Sequence, residues 1–124
     1  ETGMEIIICD DNLSERSLMI DYILKWASEK HLEIQINTCK DWMELAAALE
    51  GREWDIVIVS LDGVRGLDTA SSAQPLSRRL IWISDLDFGV QAYRMCVSYF
   101  FMKPVSCQKM QRALECALKG HGTT

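Results

Sequence analysis

Apolar runs of strand length alternate along this chain with stretches of helical periodicity. Five runs read as strands, at residues 5–9, 33–39, 55–59, 80–84 and 98–102. The first, third and fourth contain IIIC, IVIV and LIWI, apolar at every position, as in parallel strands covered by helices on both faces. The second alternates Ile34 and Ile36 with Glu33, Gln35 and Asn37, which places it near an edge with one wet face. Between the strands, Ser14 with Ser17 is expected to open a helix carrying Leu18, Ile20, Tyr22, Ile23, Leu24 and Trp26, to about residue 29. Asp41 and Glu44 form a capping box for a helix through Leu49, halted by Gly51. A helix around residues 67–77 is predicted to be short or irregular, because Thr69, Ser71 and Ser72 are poor helix formers and Pro75 interrupts it. In the last helix, capped by Ser106 and left at Gly120, Met110, Ala113, Leu114, Ala117 and Leu118 follow i, i+3, i+4, i+7, i+8 spacing. The repeated βα rhythm predicts an α/β fold, a (βα)5 doubly wound, five-stranded parallel sheet. In such sheets ligands bind outside the carboxyl ends of the strands, where the strand order reverses.

The 124 residues and 48% hydrophobic content suffice for one core. A single domain is expected over residues 4–120, with residues 1–3 a cloning remnant and 121–124 a disordered tail. The sequence has neither an apolar run of roughly 18 residues nor a basic segment leading into an apolar one, so a cytoplasmic protein without a membrane segment is expected. A net charge of -5 and a pI near 5.0 speak against direct contact with nucleic acid. Cys9, Cys39, Cys96, Cys107 and Cys116 contain no C-x-x-C pair and read as reduced thiols, neither a disulfide framework nor a zinc site.

The predicted strands end in Asp10 and Asp11, in Ser60, in Ser84 and in Lys103-Pro104, which should therefore converge at one sheet edge. Two adjacent carboxylates on a strand-to-helix turn suit an oxygen-ligated divalent cation such as magnesium, although Asp-Asp-Asn is also ordinary turn and cap material. No G-x-G-x-x-G or G-x-x-x-x-G-K follows the first strand, so a nucleotide-binding reading has no phosphate cradle. His31 and His121 fall away from every strand end and read as surface residues.

In order, IIICDDN, DIVIVS, LIWIS and YFFMKP resemble the four signature segments of response-regulator receiver domains, over nearly the whole chain. The resemblance implies a flavodoxin-like receiver fold and a signalling module, not an enzyme. It implies that Asp10 and Asp11 are the acidic metal-binding pair and that Ser84 is the hydroxyl that follows the phosphoryl group. Lys103 would contact phosphate, joined to Pro104 by a cis bond, and Phe100 would stand at the aromatic switch position. The opening IIICDD further resembles receivers of LytTR-type bacterial transcription regulators.

The pattern breaks at the third strand. Receivers place a second Asp five positions after the first, as the phospho-acceptor; here Asp55 is followed by Ser60. A hydroxyl forms no labile acyl phosphate and supplies no carboxylate to a metal. The next segment, LDGVRGLD, lacks the family's Met-Pro step, and Gly66-Leu67-Asp68 is expected to start the third helix. Asp62 is the alternative acceptor, yet two residues shift a side chain roughly 6.6 Å along a strand, so a bulge would have to draw it back; otherwise Asp62-Gly63 is simply a turn. Magnesium is expected to bind weakly or not at all, with Asp10 and Asp11 partly solvated and Lys103 between them offsetting their repulsion. The expected function is an atypical receiver that acts by binding a protein partner or a second copy through its fourth helix, fifth strand and fifth helix. Tyr93, Arg94, Tyr99 and Arg112 are candidates for that surface.

Overall fold

The runs that are apolar at every position become the three inner strands of one parallel sheet. These are β1 (Met4–Cys9), β3 (Ile56–Val59) and β4 (Leu80–Ser84), flanked by β2 (Ile34–Cys39) and β5 (Tyr99–Met102) in the order β2-β1-β3-β4-β5. The structure is a computed structural model that describes residues 3–119. Glu1, Thr2, the proposed helix stop at Gly120, His121 and the rest of the tail lie outside the described residues.

Alternation along each inner strand feeds two separate cores, which is why the runs IIIC, IVIV and LIWI hold no polar residue. Ile6, Ile8, Ile56, Ile58, Ile81 and Ile83 face the layer made by α1 (Leu13–Glu29) and α5 (Cys107–Lys119). Ile7, Cys9, Val57, Val59, Leu80 and Trp82 face the layer made by α2 (Trp42–Gly51), α3 (Gly63–Ala73) and α4 (Gly89–Met95). The edge position of β2 agrees with its alternation, since Gln35, Asn37 and Thr38 are exposed. This is the five-stranded, doubly wound architecture that the rhythm of the sequence predicts.

Two helix starts differ from expectation. Asn12, not Ser14, caps α1, its side-chain oxygen accepting from the Glu15 amide at 2.9 Å. The third helix begins at Gly63 instead of residue 66 or 67 and runs regularly to Ala73, with Pro75 in a following 3₁₀ turn, Gln74–Leu76. Its poor intrinsic propensity is outweighed by packing, because Gly66, Thr69, Ala70 and Ala73 form a narrow buried face that lets the helix lie close to the sheet. The caps at Asp41 and Ser106 form as read, accepting from the amides of Glu44 and Lys109, while α2 includes Gly51 as its last residue.

Gly66 is where that approach is tightest. A Cβ there would lie 1.9 Å from the Leu61 carbonyl oxygen, a backbone atom in the turn that carries Ser60 and Asp62. In a helix interior alanine is ordinarily favoured over glycine by up to about 1 kcal/mol. Here the clash reverses the sign: Gly66→Ala is expected to cost about 1–3 kcal/mol in urea unfolding, and a variant more stable than the parent would contradict the close packing.

Candidate functional site

The strand order reverses between β1 and β3, and the side chains that end these strands meet there with the start of α1 and the end of β5. Asp10 and Ser60 are neighbours in this crevice, the Ser60 amide donating to the Cys9 carbonyl at 2.9 Å. Both are fully buried, as is Ser84 at the end of β4.

Lys103 is the hub. Its ammonium donates to Glu15 Oε1 at 2.7 Å, to the Ser60 carbonyl at 2.9 Å and to Asp62 Oδ1 at 2.6 Å. Its side chain is 13% exposed, against 21% for Glu15 and 60% for Asp62. Burial pushes the ammonium down, but the Asp62 and Glu15 carboxylates outweigh it and hold Lys103 above its ordinary value. The Lys103-Pro104 bond is cis, as the resemblance implied.

Two expectations about the acidic pair are overturned. Asp10 is not partly solvated: it is fully buried, its Oδ1 accepting from the Asn12 amide at 2.9 Å and its Oδ2 left without a partner. Nor does Lys103 sit between Asp10 and Asp11, since its three hydrogen bonds go elsewhere. The reason is reach and charge: Glu15, one turn into α1, offers an accessible carboxylate, and the Asp62 loop offers another. Asp11 turns outward and pairs with Arg65 Nη1 at 2.8 Å, and this guanidinium draws its carboxyl below the ordinary value. Asp10 moves the other way. Burial, and after it the nearby Glu15 carboxylate, push it up to about 7, against the lowering pull of the Asn12 amide and the Lys103 charge.

Asp62 occupies the N-cap position of α3 but makes no capping bond, its carboxylate being held by Lys103. The Gly63 amide turns instead to Asp85 Oδ1 at 2.8 Å, with Gly63 at φ 63, a conformation open to glycine. The chain thus brings Asp62 to Lys103 through a turn in which Leu61 is fully buried, with no extended strand between Ser60 and Asp62.

Magnesium demands several oxygens in near-octahedral array. The residues here do not fit it. Asp11 is committed to Arg65, position 60 supplies a hydroxyl, and the Lys103 ammonium already occupies the Glu15 and Asp62 carboxylates. Among the described residues, no three His, Cys, Asp or Glu side chains form a group that could hold a metal ion.

Ser84 Oγ accepts from the Leu86 amide at 3.1 Å and contacts Asp85 Oδ1 at 3.4 Å. Phe100 is half-buried and packs edge-on against Trp82, ring centroids 5.2 Å apart. Tyr93, Arg94 and Arg112 are exposed, Tyr93 at 83%, whereas Tyr99 is half-buried beside Phe101. Sequence reading missed Glu15 and Arg65. Glu15 was open to discovery, standing three residues after a capping Asn12; Arg65 carried no signal, because the helix start that positions it was misplaced.

No protein-family model matches the chain, and no curated protein matches it. Solved structures do. The response regulatory domain of protein mrkE from Klebsiella pneumoniae superposes with a TM-score of 0.75 at 16% identity, over 98% of this chain and 100% of that one. The chemotaxis response regulator CheY4 of Vibrio cholerae gives 0.71 at 14%, over 92% and 98%. The receiver domain of sensor histidine kinase PA1611 from Pseudomonas aeruginosa PAO1, with magnesium coordinated in its active site cleft, gives 0.72 at 13%, over 94% and 98%. The fold is therefore that of receiver domains.

Two outcomes follow from the charges. Between the ordinary Asp value of 3.8 and about 7, folded Asp10 holds a proton that the unfolded chain has released, so stability falls as pH rises through that window. Asp10→Asn removes this term and keeps the acceptor for the Asn12 amide; it is expected to stabilise the protein by about 1–3 kcal/mol at mildly alkaline pH and much less near pH ~4. Equal effects at both pH values, or a loss, would contradict a buried, raised carboxyl. Lys103→Met is expected to cost about 1–3 kcal/mol in urea unfolding, above the ~0–1 of an exposed pair. A loss under about 0.5 kcal/mol would show that the three bonds are not held in solution.

Proposed function

We propose that this chain is an atypical receiver domain of a two-component signalling system, which regulates by associating with a protein partner or a second copy of itself and does not accept a phosphoryl group. The observation that carries the reading is the state of the crevice. The end of β3 presents a buried hydroxyl, Ser60, and the lysine that would meet an incoming phosphoryl group is already bonded to Glu15 and Asp62. In receivers generally, phosphoryl chemistry needs a carboxylate nucleophile beside a divalent cation; neither requirement is met by the residues present. The scaffold is kept and the chemistry is not.

Association is proposed through α4, β5 and α5, where Val90, Tyr93 and Met102 stand exposed at 62%, 83% and 37%. Solvated apolar groups of this kind are the part of a surface that gains by being covered. The acidic balance of the chain favours a protein surface over nucleic acid for this contact. A LytTR-type transcription regulator is the proposed setting, on the strength of the IIICDD opening.

The second reading, phosphorylation at Asp62 by a histidine kinase, draws on the proximity of Asp62 to Lys103, and one experiment separates the two. After incubation with acetyl phosphate or phosphoramidate and magnesium, intact-mass spectrometry is expected to find no phosphoryl adduct. An adduct mapped to Asp62 would establish the second reading and overturn the first. Sedimentation of the same samples is expected to be unchanged by the treatment, with any self-association weakened by Tyr93→Glu; dimerisation that appears only after phosphoryl-donor treatment would also count against the proposal.

A further inference from the structure

Cys9 and Cys39 are the last residues of β1 and β2 and stand directly opposite each other in the parallel register. Neighbouring strands lie about 4.8 Å apart, inside the roughly 4.4–6.8 Å range of Cα separations that a disulfide spans. Register partners in a parallel pair point to the same face, and both side chains pack in the same core layer with Leu45 and Val59. The neighbouring Cys39 thiol, ahead of burial, pushes the Cys9 thiol up. Cys9 is 0% exposed and Cys39 5%. None of the other three cysteines is buried, and all five are free in the structure.

We propose that Cys9 and Cys39 are a reversible two-electron oxidation site, closing to a cross-strand disulfide by exchange with a low-molecular-weight disulfide such as oxidised glutathione. The Cys39 sulfur attacks first, because β2 is an edge strand whose outer side has no neighbour in the sheet. It forms a mixed disulfide and releases one glutathione, which carries away the thiol proton. The Cys9 sulfur then displaces the second glutathione, which takes the second proton; the protein loses two electrons and the glutathione disulfide gains them. Sequence spacing gives no hint of this pair, since 29 residues, including all of α1 and most of β2, separate positions that only the register of β1 on β2 brings together.

The bond would lie at the foot of the crevice. Asp10 follows Cys9 directly, and Arg16 Nη1 donates to the carbonyls of Asp10 at 3.1 Å and Cys39 at 3.5 Å. Closing it ties the edge strand to the strand that carries Asp10 and Asp11, and fixes the loop leading to the Asp41 cap.

The test uses the full chain with Cys96, Cys107 and Cys116 changed to serine. It is equilibrated with oxidised glutathione in mildly alkaline buffer, quenched in acid, unfolded and treated with N-ethylmaleimide. The expected product takes up no maleimide, weighs two hydrogens less than the reduced chain, yields one linked peptide pair spanning Cys9 and Cys39, and resists urea better until dithiothreitol restores the parent. Uptake of two maleimides, or two glutathiones left in place, would overturn the proposal. Should the triple variant not fold, as judged by far-UV circular dichroism, digestion of the oxidised parent chain decides: a 9–39 linked pair, lost in Cys39→Ala, supports the site, and pairing of either residue with Cys96, Cys107 or Cys116 in its place refutes it.

Discussion

The ammonium of Lys103 joins four pieces of the chain that the sheet alone would leave independent. Carried on the end of β5, it is bonded to Glu15 in α1, to the carbonyl of Ser60 at the end of β3, and to Asp62 at the threshold of α3. One positive charge faces three carboxylates, those of Glu15, Asp62 and Asp10, and cannot balance them all. Two of them, Glu15 and Asp62, reach it and accept its hydrogen bonds. The third, Asp10, is buried without a partner for Oδ2 and gives way by holding its proton up to about pH 7. Asp11 escapes the conflict by turning out to Arg65. The crevice is thus an electrostatic cluster closed on itself, and a hydroxyl in place of a further carboxylate at position 60 leaves one lysine nearly sufficient for it.

The inner strands were legible in the sequence because burial on both faces leaves a local trace, an unbroken apolar run, and the edge strand because exposure on one face leaves another, the alternation of Ile34 and Ile36 with polar residues. Capping by Asp41 and Ser106 was legible for the same reason: donor and acceptor are three residues apart. The start of α3 was not. Its residues are poor helix formers, and what holds them helical is contact of Gly66, Thr69, Ala70 and Ala73 with the sheet, which no window of sequence contains. The misplaced start then hid Arg65, and with it the fate of Asp11.

For the crevice, sequence told which strand ends meet but not how their charges pair. Asp10 and Asp11 are adjacent in the chain, yet one is fully buried with a raised value and the other half-exposed with a lowered one, because successive residues at a strand end leave in different directions. The juxtaposition of Cys9 with Cys39 has the same character. It exists only through the register of two strands, and it sits directly beneath the residues whose charges set the crevice.

Whether the Lys103 ammonium is held by carboxylates of the protein itself, and not kept free for a metal-bound phosphoryl group, is open to direct observation. Nitrogen-15 NMR of the lysine side chains reads hydrogen bonding and solvent exchange at each ammonium. The Lys103 signal is expected to be protected from exchange, shifted by Asp62→Ala and by Glu15→Gln, and unmoved by millimolar magnesium with or without a phosphoryl donor. A signal exchanging as fast as that of the exposed lysines, or one that magnesium displaces, would contradict it.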